Sequence, residues 1–300
     1  MLDSRLDRNS DNVLANFRYY YYEPALSAAA IFTVLFGLST LLHAFQMIRT
    51  KTWFMIPFLI GGIFETIGYI GRILSAQQNP GPYTLGPFII QSVLLLVAPA
   101  LFAASIYMEL GRIVLMCDGD RALFVRRTWL TKIFVGGDIL SFLMQSAGAG
   151  LLSSGTSSSI NMGSNIVVGG LVVQVLFFGL FVITAALFHA RNRRNPTEKS
   201  RGTPWKKHLI GLYIVSILIF MRSIVRVVEY AEGYAGYIMG HEIFLYIFDA
   251  MVMWLAMVTM NWIHPSEVAA LSRGGADERA FTNAWKLEKV GQRSIVSAEP

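Results

Sequence analysis

The chain carries seven stretches of about 20 or more mostly apolar residues, the length a helix needs to cross the roughly 30 Å hydrocarbon core of a bilayer. They are Pro24–Ile48, Trp53–Leu74, Thr84–Ile113, Trp129–Leu152, Gly163–Ala190, His208–Tyr230 and Gly240–Ile263. Breaks rich in Pro, Gly, Ser or charge separate them, as helix boundaries do. Unpaired backbone polar groups are too costly in lipid for any open structure, so the spans must be helices. The expected fold is all-α: a polytopic membrane protein with a single seven-transmembrane-helix bundle over residues 24–263. A tail of residues 1–23 precedes it, and a mostly disordered tail, 264–300, follows, with a short interfacial segment around Phe281 and Trp285. A content of 54% hydrophobic and 15% charged residues, with a mean hydropathy of +0.50, argues against a disordered chain, a disulfide scaffold and most soluble enzymes.

Lys and Arg in short flanking segments set orientation. Loops one, three and five and the C-terminal tail hold 18 of the 25, the N-terminal tail holds three, and loops two, four and six hold none. The N-terminus is therefore expected outside and the C-terminus in the cytosol. The first 23 residues carry Asp3, Asp7 and Asp11 and no apolar core, so the first helix, rather than a cleaved signal peptide, is the expected targeting signal. The net charge of +6 reads as this topogenic signal and not as a nucleic-acid footprint. The basic fifth loop, Arg191 to Lys207, can serve topology alone or also rest on anionic headgroups. Cys117, the single cysteine, is expected to be an inert thiol.

A charge in the hydrocarbon costs about 2.5–3.5 kcal/mol even on lenient scales, so those retained usually face the bundle interior. Helix two carries Glu65, Tyr69 and Arg72 at i, i+4 and i+7; helix six carries Arg222, Arg226 and Glu229, and helix seven Glu242, Tyr246 and Asp249, in the same spacing. At about 1.5 Å per residue, Glu65, Arg222 and Asp249 fall near a common depth of roughly 14 Å from the outer boundary. Arg226, Arg72, Glu229 and Glu242 lie nearer the outside. Two readings stay open: a salt-bridge network that locks three helices, or a headgroup-binding cavity framed by the same pairs. Asp138, Ser141 and Gln145 turn a polar face of helix four inward beside Gly136, Gly137, Gly148 and Gly150, and Gln91 and Gln174 lie on helices three and five. For Asp138, ligand or proton contact competes with a helix–helix hydrogen bond. Pro99 frees a backbone carbonyl in helix three.

Other chemistry is missing. There is no phosphate-binding Gly-rich loop for ATP-driven pumping, and no catalytic constellation. The histidines, His43, His189, His208, His241 and His264, are dispersed, and none forms a His-x-x-x-His pair, so no metal site is expected. Helix seven has no lysine for a retinal Schiff base. The Asn79 to Tyr83 match to a receptor-like Asn-Pro-x-x-Tyr pattern lies between helices and is chance.

With these residues in view, the chain resembles the RTA-like family of fungal seven-helix membrane proteins, the lipid-translocating exporter family. The matching stretches are Tyr22 to Pro24, Glu65 to Arg72, Ala98 to Ala100, Ala103 to Tyr107 with Gly111 and Arg112, and Asp138 through Ser141 and Gln145 to Gly150. Arg222 to Glu229, Glu242 through Tyr246 to Asp249, and His264 with Pro265 complete the series over residues 20 to 268. The resemblance implies a fungal multi-pass membrane protein, expected in the plasma membrane with an internal membrane as the alternative, in a family linked to resistance to amphipathic toxicants, export or flipping of sphingoid bases and porphyrin uptake. It brings no residue-level mechanism.

The combined expectation is a translocator or resistance factor for amphipathic lipids or lipophilic toxicants, neither ATP-driven nor an enzyme, with membrane lipids and an amphipathic small molecule as partners. Its candidate ligand-binding residues are Glu65, Tyr69, Arg72, Gln91, Asp138, Gln145, Arg222, Arg226, Glu229, Glu242, Tyr246 and Asp249. Glu65, Asp249 and Glu242 would receive a cationic amine, and the three arginines would balance them or hold a phosphate or carboxylate. The alternatives are a seven-helix ligand sensor, suited by the external N-terminus and basic third loop, and porphyrin or haem handling. The latter needs an axial ligand such as His241; no resident cofactor is otherwise expected.

Overall fold

A computed structural model describes residues 22–78, 83–123, 126–152, 157–232, 236–238, 240–273 and 278–289. The expectations for residues 1–21 and 290–300 lie outside these. Seven helices long and apolar enough to cross a membrane are present: α1 (Leu26–Thr50), α2 (Ile56–Ala76), α3 (Leu85–Met116), α4 (Arg127–Leu152), α5 (Ser157–Arg194), α6 (Trp205–Ala231) and α7 (Glu242–Trp262). The chain is thus an integral multi-pass membrane protein. Its bundle is inverted relative to a soluble one, with Ile31, Leu38, Leu41, Leu143, Leu176 and Ile217 more than half exposed while Glu65, Arg72 and Arg222 are buried. Such an apolar surface is stable only against lipid.

Sequence neighbours pair: α2 on α3 and α4 on α5, with α6 touching α3, α5 and α7. Small residues allow the α4–α5 contact. A Cβ on Gly148 would sit 2.7 Å from the Gly163 carbonyl oxygen, so only glycine fits there, whereas Gly136 and Gly150 have nothing within 4 Å and play no such part. Ser141 Oγ donates to the Gly170 carbonyl at 2.7 Å, and Gln145 Nε2 donates to Ser141 Oγ and to Gln174 Oε1, stitching the same helices.

The tail differs from expectation. Residues 264–273 and 278–289 are folded against the Lys- and Arg-rich end of the bundle: α8 (Ser266–Ser272) packs on α3, and Arg279–Phe281 pairs antiparallel with Leu287–Lys289. Val268, Ala269 and Phe281 are buried, while Trp285 is exposed. The apolar surface covered by this hairpin and helix is why a polar stretch orders. Cys117, just past α3, is buried, and burial pushes its thiol up to about 11, which leaves it protonated and inert.

Candidate functional site

Pro99 lies inside α3, which runs on through it. Its ring supplies no N–H, so the carbonyl of Leu95, four residues back, loses its helical donor. Arg222 of α6 takes that place, its Nη2 donating to the Leu95 oxygen at 2.7 Å while its Nε pairs with Asp249 of α7. The widening of α7 into a π-helix over Tyr246–Met251 puts Asp249 in this irregular turn. The second Asp249 oxygen accepts from Arg226 Nη2 at 3.0 Å, and Arg226 Nη1 reaches Glu229 Oε2 at 3.1 Å. Two arginines and two carboxylates of α6 and α7 therefore form one chain of ion pairs, and desolvation is offset only because each charge has a partner.

This chain borders a cavity of about 330 Å³ toward the Lys- and Arg-poor end. Gln91, Arg222, Arg226, Glu229 and Asp249 of the candidate set line it, among apolar walls that include Phe88, Leu96, Phe142 and Phe248. Asp249 and Arg222 are almost fully buried, while Arg226 and Glu229 keep 17% and 16% of their side chains exposed and form its accessible pair.

Arg72, Glu242 and Tyr246 form a separate lock. Arg72 donates to Glu242 Oε1 at 2.5 Å, to the Tyr246 hydroxyl at 2.9 Å and to the Tyr22 hydroxyl at 3.0 Å, with its guanidinium over both rings. Glu242 also accepts the Ala25 backbone N–H at 2.9 Å, satisfying an orphan donor at the start of α1. Tyr69 stacks on Phe36 at 5.4 Å and lies beside Tyr246, extending the lock as an aromatic column. Arg72, Glu242, Tyr246 and Tyr69 do not line the cavity, whereas Tyr22 does, so the lock meets the cavity wall through that ring. Glu65 does not line it either; it is buried, and both its oxygens lack a hydrogen-bond partner.

Asp138 and Gln145 line a second, more apolar cavity of about 220 Å³ between α3, α4 and α5. Arg222 and Asp249 meet as an ion pair, and the candidate residues otherwise fall into separate arrangements and not one funnel.

Sequence reasoning missed several residues. Tyr22 belongs to a matched stretch yet was given no site role. Glu109 is a buried carboxylate inside α3, and its presence in an apolar span was the available signal. The Lys- and Arg-rich end holds His43, His208 and His264, all buried, with His43 and His264 ring centroids 5.3 Å apart and His208 Nε2 3.2 Å from Glu267. "Dispersed" holds for the sequence and not for the fold, although among the described residues no cluster able to hold a metal forms. Asn261 and Gln46 complete this node: Gln46 Nε2 donates to the Asn261 and Ala284 carbonyls, both at 2.9 Å. Desolvation and the neighbouring His43 and His208 hold the His264 imidazole well below its usual value, hence neutral. His241 borders the first cavity, its Nδ1 2.8 Å from the Tyr237 carbonyl.

The family described as RTA1 like protein matches residues 58–271. Among relatives, Protoporphyrin uptake protein 1 of Saccharomyces cerevisiae is 38% identical over 283 residues, covering 82% of this chain and 92% of the relative. The Probable lipid transporter atnI of Emericella nidulans is 29% identical, over 83% of this chain and 68% of its own. The Sphingoid long-chain base transporter RSB1 of S. cerevisiae is 27% identical, over 84% and 74%. No solved structure matches. A match over most of the bundle, including Arg72, Arg222, Arg226, Glu242 and Asp249, places the chain in the RTA1-like family of membrane proteins.

Proposed function

We propose that the chain translocates amphipathic, lipid-like molecules in the plasma membrane without hydrolysing ATP, as an exporter or resistance factor. The observation that carries this reading is the cavity of about 330 Å³ with charged and aromatic walls at one end of the bundle. A polar headgroup meets the accessible Arg226–Glu229 pair, and Phe88, Phe244 and Phe248 suit an apolar body. Arg222 and Asp249 form the fixed floor, because both Asp249 oxygens are already engaged by arginine. The relatives named as lipid and sphingoid-base transporters support the class of cargo.

Purified protein in proteoliposomes, with no nucleotide present, tests this reading. Wild type accelerates movement of a fluorescent long-chain amphiphile between leaflets, and Ala149→Trp, which fills the cavity from its α4 wall, abolishes the acceleration. Equal rates in empty and protein-containing vesicles would end the proposal.

A second reading, a porphyrin as cargo, is favoured by His241 on the cavity wall and by the relative named for protoporphyrin uptake. A porphyrin absorbance band that co-purifies with wild type and is lost in His241→Ala supports it; absence of a band from protein loaded with protoporphyrin removes it.

A further inference from the structure

Among the described residues, three buried carboxyl groups within the helices have oxygens without a geometrically close hydrogen-bond partner: Glu65, Glu109 and Asp138. Of these, Asp138 lines one of the two cavities described above, and Glu65 and Glu109 line neither. Neither oxygen of Asp138 has a charged partner, its residue is 5% exposed, and it sits on the wall of the 220 Å³ slot between α3, α4 and α5. Gln145, one helical face along, is 4% exposed and presents an unpartnered Oε1, because its amide nitrogen is already engaged by Ser141 and Gln174. The Tyr107 hydroxyl lies beside Asp138 and is its one neighbouring donor, a neutral one.

The remaining walls are apolar, among them Leu101, Ala104, Val135 and Ile139. Ile139 is also half exposed on the outer surface of the bundle, so the slot lies beside the bilayer. An isolated carboxyl at this depth is costly unless something donates to it. The unmet atoms of Asp138 and Gln145 are acceptors, which selects a ligand that brings donors and, for Asp138, positive charge. Leu96 and Phe142 line this slot and the larger cavity alike, so the two spaces share a wall.

We propose that the slot is a subsite for the ammonium group of a lipophilic amine, received by Asp138 and Gln145 behind the Leu96–Phe142 partition. It rests on the translocator reading and deepens it: the ion-paired cavity admits the cargo, and the slot selects amines. The contrast with Asp249 is the ground for the choice. Asp249 has two arginine partners to lose before it can take a ligand, and Asp138 has only the neutral Tyr107 hydroxyl beside it and no ion pair.

The test measures binding of dodecylamine and 1-dodecanol to the full chain in nanodiscs. Wild type prefers the amine by about tenfold, the scale of one charged hydrogen bond, and Asp138→Asn brings the two within about threefold. Glu109→Gln, a buried carboxyl away from both cavities, keeps the wild-type ratio. An unchanged ratio in Asp138→Asn, or no preference in wild type, overturns the subsite while leaving translocation standing. Failure of both probes to bind or move overturns the translocator reading as well.

A measurement on wild type guards against misfolding of the variant. A hydrophobic carbodiimide labels carboxyl groups in apolar surroundings, and dodecylamine, but not 1-dodecanol, protects the Asp138 peptide. Equal labelling with and without the amine overturns the proposal. A compact tricyclic amine that protects as well as dodecylamine identifies the slot with toxicant amines, and protection by dodecylamine alone identifies it with long-chain lipid amines; either result supports an amine subsite.

Discussion

The two ends of the bundle use buried polarity in opposite ways. Toward the Lys- and Arg-poor end, Arg222, Arg226, Glu229 and Asp249 form ion pairs around open space. At the other end, His43, Gln46, Asn261 and His264 form a neutral network that lines neither cavity, beside the Lys207–Glu267 ion pair and under the cover of α8 and the hairpin. Charged pairs tolerate water and can exchange partners with a ligand; neutral amide and imidazole contacts under a packed cap favour a closed wall. The difference gives the bundle one open end and one closed end.

Substitutions break this contrast with graded effects. Asp249→Asn leaves the buried Arg222 and the half-buried Arg226 without their shared carboxylate, and we expect a loss of about 3–5 kcal/mol, read as a lower melting temperature in detergent. Glu242→Gln weakens the Arg72 pair and the acceptor for Ala25; about 1.5–3 kcal/mol is expected, with faster hydrogen exchange at the start of α1 as its local signature. Gln46→Leu removes two hydrogen bonds at the closed end and costs about 1–2 kcal/mol, with exchange rising in residues 279–289 and not around the cavity.

The smallest effect is a pH dependence. His264 is buried neutral, so the unfolded or undocked tail binds a proton more readily than the docked one. Docking is strongest above the ordinary imidazole value of 6.5 and weakens as pH falls below it. Proteolysis within α8 and the hairpin accelerates over that range, and His264→Gln flattens the response.

Much of this was legible in the sequence for particular reasons. Span length alone fixes α1 to α7, and depth arithmetic puts Arg222 level with Asp249, which are indeed partners. Pro99 announced a free carbonyl; that Arg222 would fill it was not visible, because nothing in the periodicity of α3 says which helix lies against it. The same limit hid the Arg72 lock, which depends on Ala25 meeting Glu242 and Tyr246 of α7 across more than 200 residues of chain. The histidine node and the ordered tail were missed for a related cause. Their partners are far apart in sequence, and the tail's polar composition conceals Val268 and Ala269, while Phe281, expected at the membrane interface, is instead buried with them as an anchor.

The central claim is that cargo passes through the ion-paired end and not through the sealed one. Leaflet-to-leaflet movement of a fluorescent amphiphile in proteoliposomes, compared for Glu229→Gln and Gln46→Leu at equal amounts of inserted protein, tests it most directly. We predict a drop of roughly tenfold for Glu229→Gln, which alters the accessible pair, and a rate near wild type for Gln46→Leu despite its lower stability. A wild-type rate in Glu229→Gln together with a collapse in Gln46→Leu would contradict the account.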